Sequence, residues 1–128
     1  MLRNALVIAS LPAIDIQRAT KFYSETLELQ PDDAPEPDKV TFAGGDGTML
    51  LLYKREGDIQ SDHTAVTWLV DDLEKAVEVL RQRGIVFEQY DRPGWKTDER
   101  GIAEVGGVRG AWFRDTEGNI LEIAEGSR

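Results

Sequence analysis

The order strand, helix, three strands is written twice into this 128-residue chain. Asp15-Ile16 and Arg18-Ala19 recur as Asp72-Leu73 and Lys75-Ala76, an offset of 57 residues. Further on, Phe42, Gly47 and Leu52 recur as Phe113, Gly118 and Ile123, an offset of 71. The two offsets differ by 14 residues, which places an extra loop in the second copy, within RPGWKTDERGIAEVGG (92–107). Module one is expected over 1–58 and module two over 59–128. The segment between them, REGDIQSD, is too short to be a linker, so a single domain with one sheet system and one core is expected.

Hydrophobic spacing supplies the elements. ALVIASL (5–11) is a continuous aliphatic run, expected as a largely buried strand ended by Pro12. DIQRATKFYSETLE (15–28) changes period: Ile16, Ala19, Phe22, Tyr23 and Leu27 fall on one helical face behind an Asp15 cap. PDDAPEPD (31–38) reads as a solvated loop. KVTFAGGDGTMLLLYK reads as a hairpin turning at GGDG. In the second copy HTAVTWLV (63–70) is a strand. DDLEKAVEVLRQRG (71–84) is a helix with Leu73, Ala76, Val77 and Leu80 inward, Asp71 and Glu74 as its capping pair and Gly84 at its end. IVFEQYD is expected as a strand, and RGAWFRDTEGNILEIAE as a second strand–turn–strand unit.

Charge and composition narrow the function. A net charge of −9 repels phosphate backbones and anionic membrane surfaces, so neither nucleic acid nor membrane is an expected partner. The absence of cysteine removes disulfides, thiolate nucleophiles and thiolate-rich zinc sites. The opening MLRNALVIASLPAID fits neither a cleavable signal nor a membrane span, and a cytoplasmic location is expected. AGGDG joins two strands and lacks a following Lys-Ser/Thr, so it is no phosphate loop.

With these elements in place the chain resembles the vicinal oxygen chelate superfamily, which includes glyoxalases, bleomycin-resistance proteins and extradiol dioxygenases. LPAIDIQRATKFYSETLEL, HTAVTWLVDDLEKAVEVLRQRGIVFEQYD and AWFRDTEGNILEI carry the likeness. The resemblance implies an α+β fold: two βαβββ modules forming a curved mixed sheet around a cavity, helices outside, in a protein that dimerises. In metal-dependent members, His, Gln or Glu side chains on the first and last strands of each module hold a divalent ion. Those positions fall here on Ile8, Leu51, Ala65 and Glu122. One donor among four is too few for a divalent metal, so no metal and no other cofactor is expected, with a metal site using Glu122 kept as the alternative.

Glu122 keeps three readings: a desolvated acid/base, with or without His63 as its partner; a polar anchor paired with Arg109 or Arg114; or an acid on a wet strand edge. His63 is either that partner or a histidine half exposed at a strand start. Strand alternation puts Tyr53 on the same side as Leu51 and turns Trp68 toward the helices. Trp112 lies across from Glu122 if the intervening turn has five residues, and on the other face if it has four. Trp95, in a polar loop, is either a lid residue or part of a dimer interface. Ile8, Leu51, Tyr53, Ala65, Trp95, Trp112 and Arg109 are thus the candidate ligand-binding residues, and Glu122 with His63 the candidate catalytic ones. The expected function is metal-independent binding of a hydrophobic small molecule, in a homodimer, within the cavity of the paired modules. A lyase or isomerase using Glu122 with His63 is the alternative, and a scaffold with a closed interior the third reading.

Overall fold

Asp15 and Asp72, the residues matched by the 57-residue offset, each cap a helix in the computed structural model, which describes residues 1–34, 36–59 and 61–126. Asp15 Oδ1 accepts from Arg18 N–H at 3.0 Å and Asp72 Oδ1 from Lys75 N–H at 3.1 Å. The expected capping pair of Asp71 and Glu74 is therefore displaced by one residue. Asp72 has the extended backbone of an N-cap, and Glu74 turns outward to Arg109. The chain divides into two units, Met1–Gln60 and Ser61–Arg128.

In the first unit, β1 (Ile8–Ala13) leads to α1 (Ile16–Lys21), whose end widens into a π turn over Phe22–Thr26. The short β2 (Gln30–Pro31) follows, then β3 (Lys39–Ala43) and β4 (Met49–Lys54). The sheet order is β1-β4-β3-β2, with β1 parallel to β4 and the other pairs antiparallel. Pro12 does not end β1. It pairs with Tyr53 inside an edge strand, where a residue lacking N–H is tolerated. Nor is the run 5–11 largely buried: Leu6, Val7 and Ile8 are exposed, and burial begins at Leu11. Ala19, Phe22 and Tyr23 of the helical segment pack on Val40, Phe42, Leu50 and Leu52, which are buried on one side of the sheet. The hairpin turn places Asp46 and Gly47 at φ values of 53° and 77°, the left-handed region GGDG was expected to supply. Most of the loop 31–38 is exposed as expected, while Pro35 and, in the inter-module segment, Gln60 lie outside the described residues.

The second unit repeats the topology. Here β5 (Thr64–Val70) and α2 (Leu73–Gln82) are followed by a small hairpin, β6 (Asp91–Arg92) and β7 (Trp95–Lys96). Then come β8 (Ile102–Val105), β9 (Val108–Arg114) and β10 (Ile120–Glu125), in the sheet order β5-β10-β9-β8. Both offsets reappear in the hydrogen-bond register: Ser10 faces Leu51 and Thr41 faces Leu51, while Thr67 and Trp112 face Glu122. Leu73, Val77 and Leu80 of α2 cover Phe113, Leu121 and Ile123. After Arg83, Gly84 takes φ 94°, so that its N–H reaches Arg81 O and the Ile85 N–H reaches Leu80 O.

Two expectations in this unit change. IVFEQYD is not a strand up to Tyr90, although Glu88 N–H donates to Trp112 O at 2.8 Å. The second strand of the module's sheet, equivalent to β2, is β8, inside the segment expected to be a long loop. Its partner β9 and the Gly106-Gly107 turn give Ile102–Val105 the ladder that 85–90 does not form. No described helix is long and apolar enough to cross a membrane.

Candidate functional site

The turn between β9 and β10 decides which side chains share a face. Residues 115–119 separate the pair Arg114–Ile120, a five-residue connection. Asp115 closes it: Oδ1 accepts from the N–H groups of Glu117 (2.8 Å) and Asn119 (2.9 Å), and Oδ2 from Asn119 Nδ2 (2.8 Å). All three residues are buried. This register sets Trp112 directly opposite Glu122, on the side of the sheet away from α2.

The extra segment of the second module brings two more rings to Trp112. Trp95, carried by β7, lies 5.4 Å from it between ring centres, tilted by 34°. Tyr90 meets Trp112 edge-on at 5.8 Å and Trp95 edge-on at 6.0 Å. Such offset and edge contacts suit the ring quadrupoles. The base of this hairpin is tied by buried Thr97, whose hydroxyl accepts from Tyr90 N–H (2.9 Å) and donates to Gln89 Oε1 (3.0 Å). Beyond it, Asp98 Oδ1 accepts from the N–H groups of Arg100 (2.8 Å) and Ile102 (3.0 Å). Arg100 in turn reaches Glu74 of α2 at 3.6 Å.

These rings, with Val105 and Ile120, line a pocket of about 400 Å³. Its polar wall consists of Ser61, Asp62, His63, Thr64, Arg92 and Arg114. Arg114 is held by Glu88 Oε1 at 2.8 Å and by the carbonyls of Gly118 (2.9 Å) and Ser61 (3.2 Å). Arg92 stands over the Tyr90 ring, its guanidinium carbon 5.3 Å from the ring centre. Burial, with the charge of Glu88, pushes the Tyr90 phenol above its ordinary pKa against the opposing pull of Arg114 and Arg92.

Of the residues singled out from sequence, Trp95, Trp112 and His63 come together at this pocket. His63 is exposed there, 3.3 Å from the Asp62 carboxylate. Glu122 shares Trp112's face but is not part of the pocket wall. Its Oε1 accepts from the Thr67 hydroxyl at 2.9 Å, and its Oε2 lies over Gly110, where a Cβ would stand only 2.5 Å away. The expected pairing of Glu122 with Arg109 or Arg114 is not formed. Arg109 occupies an odd-numbered step from Trp112 and so points to the helix side, where it binds Glu74 (2.7 Å) and Glu125 (3.2 Å). Ala65 is exposed on β5 at a bulge, where the partner register jumps from Thr64 to Val66. Ile8 and Tyr53 are exposed and Leu51 half-buried on one face of the first unit's sheet.

Sequence reasoning gave Arg92 no role and considered Arg114 only as a partner for Glu122. The signal for Arg92 was RPGW itself: a Pro-Gly turn between Arg92 and Trp95 makes them cross-strand neighbours, as β6 and β7 show.

The four positions that hold a metal in metal-dependent relatives do not fit one here. Three carry hydrocarbon side chains, and the donor of the fourth, Glu122, has Thr67, Trp112 and Gly110 around it. Among the described residues no group of three or more His, Cys, Asp or Glu is placed to hold a metal ion.

Two βαβββ units of identical strand order define a tandem-module α+β protein. The chain belongs to the Glyoxalase/Bleomycin resistance protein/Dioxygenase superfamily, whose model matches residues 5–123. Among solved structures it is similar to a lactoylglutathione lyase from Agrobacterium tumefaciens, at 20% identity over 98% of this chain and 96% of that one, with a TM-score of 0.69. It is similar too to TnmS3, an antibiotic binding protein from Streptomyces sp. CB03234, at 22% identity over 99% of both chains, TM-score 0.69. A glyoxalase/bleomycin resistance protein/dioxygenase from Nocardioides matches at 20% identity over 96% of this chain and 83% of that one, also with a TM-score of 0.69. At such identities the likeness is one of fold. No curated protein sequence matches the chain significantly.

Proposed function

We propose that the protein binds a planar, largely apolar small molecule without a metal, in the pocket of its second unit. The observation that carries this reading is the set of three aromatic rings, Tyr90, Trp95 and Trp112, held within 6.0 Å of one another on the wall of a 400 Å³ pocket. A pocket of that size and lining suits a small ligand. The hydrocarbon character of Ile8, Leu51 and Ala65, where chelating relatives carry donors, supports binding without a metal, and the fold is one that an antibiotic binding protein also has. Trp95, borne by a two-strand hairpin over the pocket, serves as its lid.

Titration with 2-naphthamide, followed by tryptophan fluorescence, tests this. Saturable quenching is expected in the wild type, weakened at least about tenfold in Trp95→Ala through loss of a stacking partner. Quenching that is linear without saturation, or unaltered by Trp95→Ala, would refute it. Zinc competition against a chromogenic chelator is expected to give no stoichiometric binding. Tight binding lost in Glu122→Gln would favour the metal-dependent lyase reading instead. The same proposal includes a homodimer, supported by Ile8, Met49 and Tyr53 standing exposed on one face of the first unit's sheet. Sedimentation equilibrium returning only monomer at high micromolar concentration would refute that part.

A further inference from the structure

The charges around the pocket are unequally satisfied. Arg114 is spent on Glu88 and on two carbonyls, and His63 stands beside Asp62. Arg92 is different: among the described residues no carboxylate lies in ion-pair range of it, and its contact is the face of Tyr90. Tyr90 in turn touches both tryptophans, and Arg92 lines the same pocket as the three rings.

This matters because the chain carries a net charge of −9, a field that repels anions at a distance. An arginine with no carboxylate partner among the described residues is one whose partner can come from outside the chain. Guanidinium presents a planar fork of N–H donors that matches a carboxylate, and it can keep its stacking contact while donating at its edge.

We infer that the pocket selects planar aromatics bearing an anionic group, the ring lying against Trp95 and Trp112 and the anion meeting the guanidinium of Arg92. This rests on the binding function proposed above and names the class of ligand it takes.

Three probes of one ring system separate the two ideas: 2-naphthoate, 2-naphthamide and 2-naphthylmethylammonium, each measured by equilibrium dialysis against the full chain at pH 7. Naphthoate is expected to bind about fivefold or more tighter than the amide, and the ammonium more weakly than either. In Arg92→Gln the naphthoate-to-amide ratio falls to near one, and in Arg92→Lys, which keeps the charge without the fork, it is partly restored. If naphthoate binds no tighter than the amide, or its preference survives Arg92→Gln, or that variant weakens both probes equally, the inference fails while the pocket stands. If none of the three binds, the inference and the binding function fail together.

Discussion

Replacing Asp115 with alanine should cost the second unit more than any other single change at its surface turns. The carboxylate accepts from two backbone N–H groups, of Glu117 at 2.8 Å and Asn119 at 2.9 Å, and both residues are buried. Alanine leaves those donors without the carboxylate in a place water does not readily reach, at about 1–2 kcal/mol each. The bond from Asn119 Nδ2, at 2.8 Å, is lost as well. The total is about 3 kcal/mol, or a fall of about 10 °C in the melting temperature for a chain of this size. Asp115→Asn keeps an acceptor oxygen and should lose roughly half as much. Urea unfolding followed by tryptophan fluorescence reads the change directly, since Trp112 is seated by this turn. A midpoint for Asp115→Ala equivalent to a loss under about 0.5 kcal/mol would refute the claim that the turn is held by this side chain.

The other predictions concern single contacts. Gly110→Ala places a methyl group 2.5 Å from Glu122 Oε2 and should displace that carboxylate from Thr67, costing about 1 kcal/mol, and nothing once Glu122 is also alanine. A double-mutant cycle in urea that gave equal costs in both backgrounds would contradict the placement of Glu122. Burial alone would raise the pKa of Asp98, but hydrogen bonds from Ile102 N–H and from the side chain and backbone of Arg100 outweigh it and lower the value. A depressed folded-state pKa gives stability that is present above the unfolded value and is lost as pH falls through the folded one. Asp98→Asn should therefore be less stable than wild type at pH 7, with the gap closing below about pH 4. Thermal melts between pH 3 and 7 that stayed parallel would disprove this. Gly84→Ala forces a Cβ into a left-handed residue at φ 94° and should cost about 1 kcal/mol, a loss that chemical denaturation would detect.

What could be read from sequence was whatever depends on period and spacing. The offsets of 57 and 71 matched residues that hold equivalent ladder positions in the two units, because a duplicated module keeps its register when its loops change length. Asp15, Gly84 and the GGDG turn were legible because helix ends and tight turns depend on local chemistry. Pro12 was misread as a stop because edge position is a property of the sheet, invisible in the run itself. The strand at 85–90 was misplaced for a related reason: IVFEQY and IAEV both have strand character, and only the ladder with β9 shows that Ile102–Val105 takes the place. At the site, the face of Trp112 depended on turn length, which sequence left at four or five and Asp115 fixes at five. Arg92 carries no signal of its own in the sequence because its place over Tyr90 depends on the β6–β7 turn.

The central claim is that Trp95 and Trp112 bound a ligand pocket while Trp68, paired with Ile123 on the helix side, does not. The three indole N–H signals of ¹⁵N-labelled protein, assigned by Trp→Phe substitution, report on it during titration with 2-naphthamide. The account predicts that the Trp95 and Trp112 signals shift together along one saturation curve while Trp68 holds still. A shift at Trp68 with the other two unmoved, or three motionless signals at millimolar probe, would contradict it.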